Sequence, residues 1–193
     1  MADVVLYHHA QGLTPGIEAF AADLRAAGHG VHVPDLYEGR VFPTLDEGIA
    51  YARQTGFATL GERGLAAVDG LPDALVYAGF SLGALPAQRL AQTRPGARGA
   101  LLLHACFPVQ EFGEAWPDGV PVQVHGMDGD PFFDEEEGDL GAARALVAAT
   151  DQAELFLYPG DQHLFADSSL PSYDEAAAGL LLRRVLAFLE RVR

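Results

Sequence analysis

Ser81 sits in Gly79-Phe80-Ser81-Leu82-Gly83, between an apolar run at Ala74–Ala78 and a helical pattern at Ala84–Thr93. A hydroxyl that is to attack a carbonyl must protrude from a very tight turn with main chain crowding both sides. Glycine two positions before and two after removes the side chains that would collide there. A helix that begins just past the serine aims its N-terminal amides at the place where negative charge develops in acyl transfer. With four serines and 22 glycines in 193 residues, chance would supply about 0.05 such matches.

A serine hydroxyl is a weak nucleophile at neutral pH and needs a base, which in turn needs a carboxylate to fix its tautomer. When the nucleophile follows a strand in this way, its partners come later in the chain, acid first and histidine last. His163 meets the requirement, in the loop Pro159-Gly160-Asp161-Gln162-His163 after the run Ala153–Tyr158. His104 and His125 end earlier runs and read as core or rim histidines. The acid belongs after Val120–His125, where Gly126-Met127-Asp128-Gly129-Asp130-Pro131 offers two carboxylates. Asp130 is favoured because it lies further from the strand and Pro131 stiffens the chain beyond it. Asp128 remains the alternative, with a competing use in an Asx-turn around Gly129. Asp161 is too close to His163 in the same loop to reach its far nitrogen easily.

The loop His8-His9-Ala10-Gln11-Gly12 follows the first apolar run, Val4–Tyr7. Its backbone is placed to supply one oxyanion donor, assigned to the Ala10 amide, with the Leu82 amide as the other. His8 and His9 are not read as metal ligands, because neighbours on a strand point opposite ways and no second cluster has ligand spacing. Cys106 lacks a Gly-flanked turn and reads as a buried or semi-buried thiol.

The elements that must hold these residues alternate. Short apolar runs at Val4–Tyr7, Val31–Val33, Ala74–Ala78, Ala100–His104, Val120–His125 and Ala153–Tyr158 read as strands. Helical spacing marks Ile17–Ala27, a segment capped by Asp46 and running to about Val68 with a break near Gly61 and Gly64, then Ala84–Thr93, Leu140–Ala149 and Glu175–Val192. The expectation is an α/β fold in one domain over residues 1–193, with a mostly parallel sheet of about six to seven strands and helices on both faces. Ligands then bind at the carboxyl ends of the strands. About fifteen residues separate the fourth and fifth runs, too few for a lid domain. Phe107, Phe112 and Trp116 in that segment are candidates for an apolar wall.

Composition narrows the function. Twelve Lys and Arg, all of them Arg, against 27 Asp and Glu give a net charge of −15, which repels nucleic acid and anionic membranes. The apolar runs are too short and broken to span a bilayer. The first residues lack the features of a signal peptide and the single cysteine excludes an internal disulfide, so a cytoplasmic protein is expected. The acidic stretch Asp134-Glu135-Glu136-Glu137 with Asp139 reads as a solvated loop rather than a cation site.

The chain resembles the dienelactone hydrolase family of α/β-hydrolases over nearly its whole length. The landmarks are the opening strand and loop through Gly12, Pro34-Asp35-Leu36-Tyr37-Glu38-Gly39, Gly79-Phe80-Ser81-Leu82-Gly83, His125 through Pro131, and Tyr158-Pro159-Gly160-Asp161-Gln162-His163-Leu164-Phe165. The resemblance implies an α/β-hydrolase fold without a lid and maps nucleophile, acid and base to Ser81, Asp130 and His163. Three positions depart from the family pattern. The best-known members use Cys where Ser81 stands, carry Glu near the position of His9, and hold the substrate carboxylate with arginines, one of them at the position of Asp167. His9, Gln11, Tyr37 and Arg40 are the expected substrate contacts, Arg40 being the one candidate left there for an anion.

The resulting expectation is a small serine hydrolase that cleaves carboxylic esters, lactones or thioesters through an acyl-enzyme. It needs no cofactor or metal, takes a small-molecule substrate, and is a monomer or homodimer. The alternative is a catalytically weak binding or sensor protein on the same fold, motivated by His9 and the missing arginines.

Overall fold

Runs such as Val4-Val5-Leu6-Tyr7 and Ala100-Leu101-Leu102-Leu103 are apolar without alternation, as strands buried on both faces must be. A computed structural model describes residues 1–134 and 139–192 and forms these runs into one sheet. The strands are β1 (Asp3–Tyr7), β2 (Gly30–His32), β3 (Val76–Phe80), β4 (Gly99–Leu103), β5 (Val122–Met127) and β6 (Ala153–Tyr158). They lie in the order β2-β1-β3-β4-β5-β6, every neighbouring pair parallel. The six-stranded parallel sheet agrees with the sequence reading, and no lid is inserted among the described residues.

Among the described residues six α-helices cover the sheet: α1 (Pro15–Ala26), α2 (Leu45–Thr55), α3 (Phe57–Ala66), α4 (Ala84–Thr93), α5 (Asp139–Ala149) and α6 (Glu175–Arg191). Alternate strand residues point to opposite faces. Val5, Tyr7, Tyr77, Leu102 and Val124 pack with Leu60, Ala87, Leu90, Leu140 and Leu146, from α3, α4 and α5. Val4, Leu6, Val76, Ala78, Leu101 and Leu103 pack on the other face with Ile17, Phe20 and Leu24 of α1 and Leu181, Val185 and Phe188 of α6.

The segment from Thr44 to Ala66 differs from the expectation. The cap is Thr44, whose hydroxyl accepts from the Glu47 N–H at 3.3 Å, and not Asp46. The break falls at Gly56, with φ of 92°, where a side chain would be strained. Gly61 and Gly64 stay helical; a Cβ on Gly64 would come within 2.4 Å of Pro86, so this glycine serves the close approach of α3 to α4.

Two features of the topology position the site. The strand order reverses between β1 and β3, so the loops after these strands meet at a switch point. At the other side, Met127 pairs with Tyr158 at the ends of β5 and β6, which lays the loops carrying Asp128–Asp130 and Pro159–His163 side by side.

Candidate active site

β3 runs straight into a 3-10 turn at Ser81–Gly83 and then α4. Ser81 has φ of 48°, a left-handed conformation that costs a non-glycine residue about 1–2 kcal/mol. The two flanking glycines make the bend possible. A Cβ on Gly79 would lie 2.1 Å from the Gly83 carbonyl oxygen, and one on Gly83 would lie 2.5 Å from the Tyr7 carbonyl oxygen. The elbow is therefore closed on itself and pressed against the end of β1, and the loop after β1 stands beside the serine.

Ser81 Oγ lies 2.9 Å from His163 Nε2, and His163 Nδ1 lies 2.6 Å from Asp130 Oδ2. A carboxylate can only accept, so Nδ1 carries the proton and Nε2 is left to accept from the serine hydroxyl. Asp130 is buried and its other oxygen accepts from the Phe132 N–H at 2.8 Å, which fixes the carboxylate plane. Asp128 is exposed and accepts from the Gly160 N–H at 3.2 Å. It clips together the two loops that carry Asp130 and His163, and Asp130 is the carboxylate in contact with the imidazole. Phe132 packs against the His163 ring with 4.8 Å between centroids.

Beneath His163 lies His104, at the end of β4, with φ of 66°. It is fully buried, edge-on to Phe165 at 4.6 Å and to His163 at 5.8 Å. Neither ring nitrogen has a hydrogen-bond partner among the described residues. Burial first, then the neighbouring histidines His163, His9 and His125, push its pKa well below the usual value. It is a neutral ring that seats the side of His163.

Above the serine opens a cavity of about 430 Å³. Ala10, Ser81, Leu82 and His163 line it, as do Leu45, Ile49, Ala52 and Arg53 of α2. Leu85, Phe107, Phe57, Phe132 and Asp139 complete most of its wall. Phe57 and Phe132 are each 47% exposed and mark a rim open to solvent. Ala10 and Leu82, the two residues expected to supply oxyanion donors, both line this cavity. Leu82 is in the first turn of a helix, where N–H groups have no partner within the helix. Of the three aromatic residues expected in the wall, Phe107 lines the cavity. Trp116 instead borders a separate cleft, and Phe112 packs against Phe107.

The four expected substrate contacts lie elsewhere. His9 is fully buried and donates from Nε2 to Asp167 Oδ2 at 2.7 Å. Gln11 is buried and donates to the Phe42 carbonyl at 3.1 Å. Tyr37 is fully buried, with its hydroxyl 3.4 Å from the Gly48 carbonyl and its ring edge-on to His8 and Tyr51. Arg40 is exposed, with its guanidinium 5.2 Å from the Tyr51 ring centre. None of the four is part of the cavity wall. The segment Pro34–Gly39 has a structural role: Asp35 accepts from the N–H groups of Tyr37 and Gly39, and His8 Nε2 accepts from the Leu36 N–H at 3.0 Å. It braces the loop after β1 from behind.

His9 and Asp167, two positions that depart from the family pattern, are bonded to each other. Asp167 also accepts from the hydroxyls of Thr14 at 2.5 Å and Ser169 at 2.6 Å and from the Ser169 N–H at 2.8 Å. Burial alone would raise its pKa, but hydrogen bonds from His9, Ser169 and Thr14 outweigh it and hold the carboxyl below the ordinary range. A buried charge stripped of one partner is destabilising. His9→Ala is expected to lower the unfolding free energy by about 2–3 kcal/mol, since the Thr14 and Ser169 bonds survive. Urea denaturation measures this, and KM for an ester should move less than threefold. A large rise in KM with unchanged stability would return His9 to the substrate site.

Among the described residues no group of three or more His, Cys, Asp or Glu is placed to hold a metal, and no helix is long and apolar enough to cross a membrane. Of the acidic stretch, Glu135–Glu137 lie outside the described residues; Asp139 is half-buried, opens a helix and lines the cavity rather than a solvated loop.

A parallel sheet with a nucleophile-type elbow after β3 defines an α/β-hydrolase. The sequence model of the dienelactone hydrolase family matches residues 2–193, and the chain belongs to that family and is a hydrolase acting on ester bonds. The fold is shared with a dienelactone hydrolase-like promiscuous phosphotriesterase from metagenomic libraries, at 20% identity and TM-score 0.80, covering 100% of this chain and 87% of that one. It is shared with a protein of Klebsiella pneumoniae assigned as a dienelactone hydrolase, at 21% identity and TM-score 0.71, covering 99% and 87%. It is also shared with the dienelactone hydrolase of Anabaena variabilis, at 17% identity and TM-score 0.66, covering 99% and 87%. No curated protein sequence matches the chain.

Proposed function

We propose that the protein is a serine hydrolase of small carboxylic esters, lactones or thioesters, working through an acyl-enzyme on Ser81. The unbroken hydrogen-bond chain Ser81–His163–Asp130 at the floor of the cavity carries this reading. Ser81 Oγ adds to the substrate carbonyl while its proton passes to His163 Nε2. The negative oxygen that forms lies toward the Ala10 and Leu82 amides, donors that favour the charge as it develops. Collapse of the tetrahedral species expels the alcohol or thiol, which takes the proton from His163. Water then repeats the sequence on the acyl group and releases the acid and Ser81. Asp130 holds the ring in the tautomer that leaves Nε2 basic and stabilises the imidazolium.

The wall is mostly apolar and open, which suits compact acyl groups without a lid. No cofactor enters these steps. The departures at His9 and Asp167 satisfy each other away from the cavity, so they do not weigh toward a binding or sensor protein. Turnover of p-nitrophenyl acetate by the native protein and by Ser81→Ala tests the reading; equal rates reject it.

A further inference from the structure

Among the described residues Asp139 is the one acidic side chain in the cavity wall, and no step of the reaction above uses it. It opens α5, half-buried, at the junction between the main cavity and the adjoining cleft that Cys106 and Trp116 border. The backbone N–H of Cys106 donates to its carboxyl. Most of the wall is apolar, Phe107, Ala105 and Phe132 among it, and such side chains cannot neutralise a charge. We propose that Asp139 sets the substrate class of this hydrolase: it turns away esters whose acyl chain ends in a carboxylate and favours those ending in a cation or a hydrogen-bond donor. The inference rests on the Ser81 hydrolase reading and refines it.

The groups that face Asp139 support a charge that is felt inside the cavity and can be switched. Burial, the largest influence, pushes its pKa up to about 6; the Cys106 N–H and His163 work against this, while Asp130 and Asp134 add to it. Above that pH the wall carries a negative charge in a partly dry site, where unit charges interact more strongly than in water. Arg53 on α2 is the opposing charge in the same cavity, but it is exposed and screened by solvent. The overall charge of −15 also disfavours anions, yet removing one of 27 acidic groups barely alters that distant field.

The experiment compares kcat/KM for three p-nitrophenyl esters of equal acyl length: neutral valerate, the anionic half-ester of glutarate, and cationic 4-(trimethylammonio)butyrate. Every ester uses the same serine and histidine, so ratios between them cancel any pH effect on the shared machinery and any fraction unfolded. At pH 8 the native protein should prefer neutral over anionic ester by about tenfold or more. The ratio should fall several-fold between pH 8 and pH 5.5, where the glutarate carboxyl is still ionised. Asp139→Asn should reduce it to within about threefold of unity at pH 8, and Asp139→Glu should retain it. A ratio unchanged in Asp139→Asn and independent of pH in the native protein overturns the proposal while leaving the hydrolase reading intact. A preference for the anionic ester overturns it in favour of Arg53. Failure of the native protein to turn over any of the three sinks both readings.

Discussion

Ser81→Ala is expected to lower kcat/KM for p-nitrophenyl acetate by at least a thousandfold while costing no more than about 1 kcal/mol of stability. In the proposed reaction the hydroxyl is the atom that bonds to the substrate, and no neighbour can replace it: Cys106 is buried, its thiol pushed up to about 12 chiefly by burial. What survives the substitution is binding in the cavity and whatever His163 can do with water directly. The stability side of the prediction comes from the backbone. Ser81 is held at φ of 48° by the closed elbow, and alanine suffers the same conformational strain as serine there. The variant loses one hydrogen bond to a partly accessible imidazole, worth about 1 kcal/mol. A large fall in melting temperature alongside lost activity would mean that the hydroxyl holds the elbow together and that its chemical role is unproved.

Acidification from pH 7 to pH 5 is expected to remove about 4 kcal/mol of stability. His8, His104 and His125 are fully buried and neutral. His8 is depressed to about 4, by burial above all, and His125 to about 3, by burial and then Arg184, while His104 lies well below its usual value. In the unfolded chain each of the three protonates near 6.5. Below that pH the unfolded state binds three protons that the folded state refuses, and stability falls with pH. Asp139 acts the other way, because its folded carboxyl, raised to about 6, takes a proton before the unfolded one does. The net uptake on unfolding near pH 5 is therefore about two protons, or roughly 3 kcal/mol per pH unit. The melting temperature should drop by about 8–16 °C over the interval. His125→Gln should flatten the slope by about one proton even if it destabilises the protein overall. Stability that holds constant from pH 7 to pH 5 would show that these rings are not neutral in the fold.

The features legible in the sequence are those whose physical requirement is local. Ser81 needs glycine at 79 and 83 because the chain crosses itself within five residues, and that crowding leaves a visible pattern. Asp130 and His163 follow from the order of loops on a parallel sheet, once β5 and β6 are seen as neighbours. The substrate wall is not local. Leu45, Ile49 and Ala52 form an apolar stripe on α2 that reads as ordinary core in one dimension, yet part of it faces a cavity. That stripe is the one sequence signal for the wall. Tyr37 and Arg40 sit in a motif that looks functional, but Asp35 and His8 use it to brace a loop. The bond between His9 and Asp167 joins residues 158 positions apart, which no spacing rule reveals. Asp139 is hidden by its acidic neighbours, since charge runs are ordinarily solvated. The helix break at Gly56 turns on which of three glycines takes a positive φ and which serve close packing.

The central claim, that His163 activates Ser81, is tested most directly by the rate and site of labelling with a fluorophosphonate, mapped by mass spectrometry of the digested protein. The adduct should appear on the peptide that carries Ser81. Its rate of formation should fall on the order of a hundredfold or more in His163→Ala, which loses the base that receives the serine proton. A native protein that stays unlabelled, or one labelled at Ser81 equally fast without His163, would contradict the account.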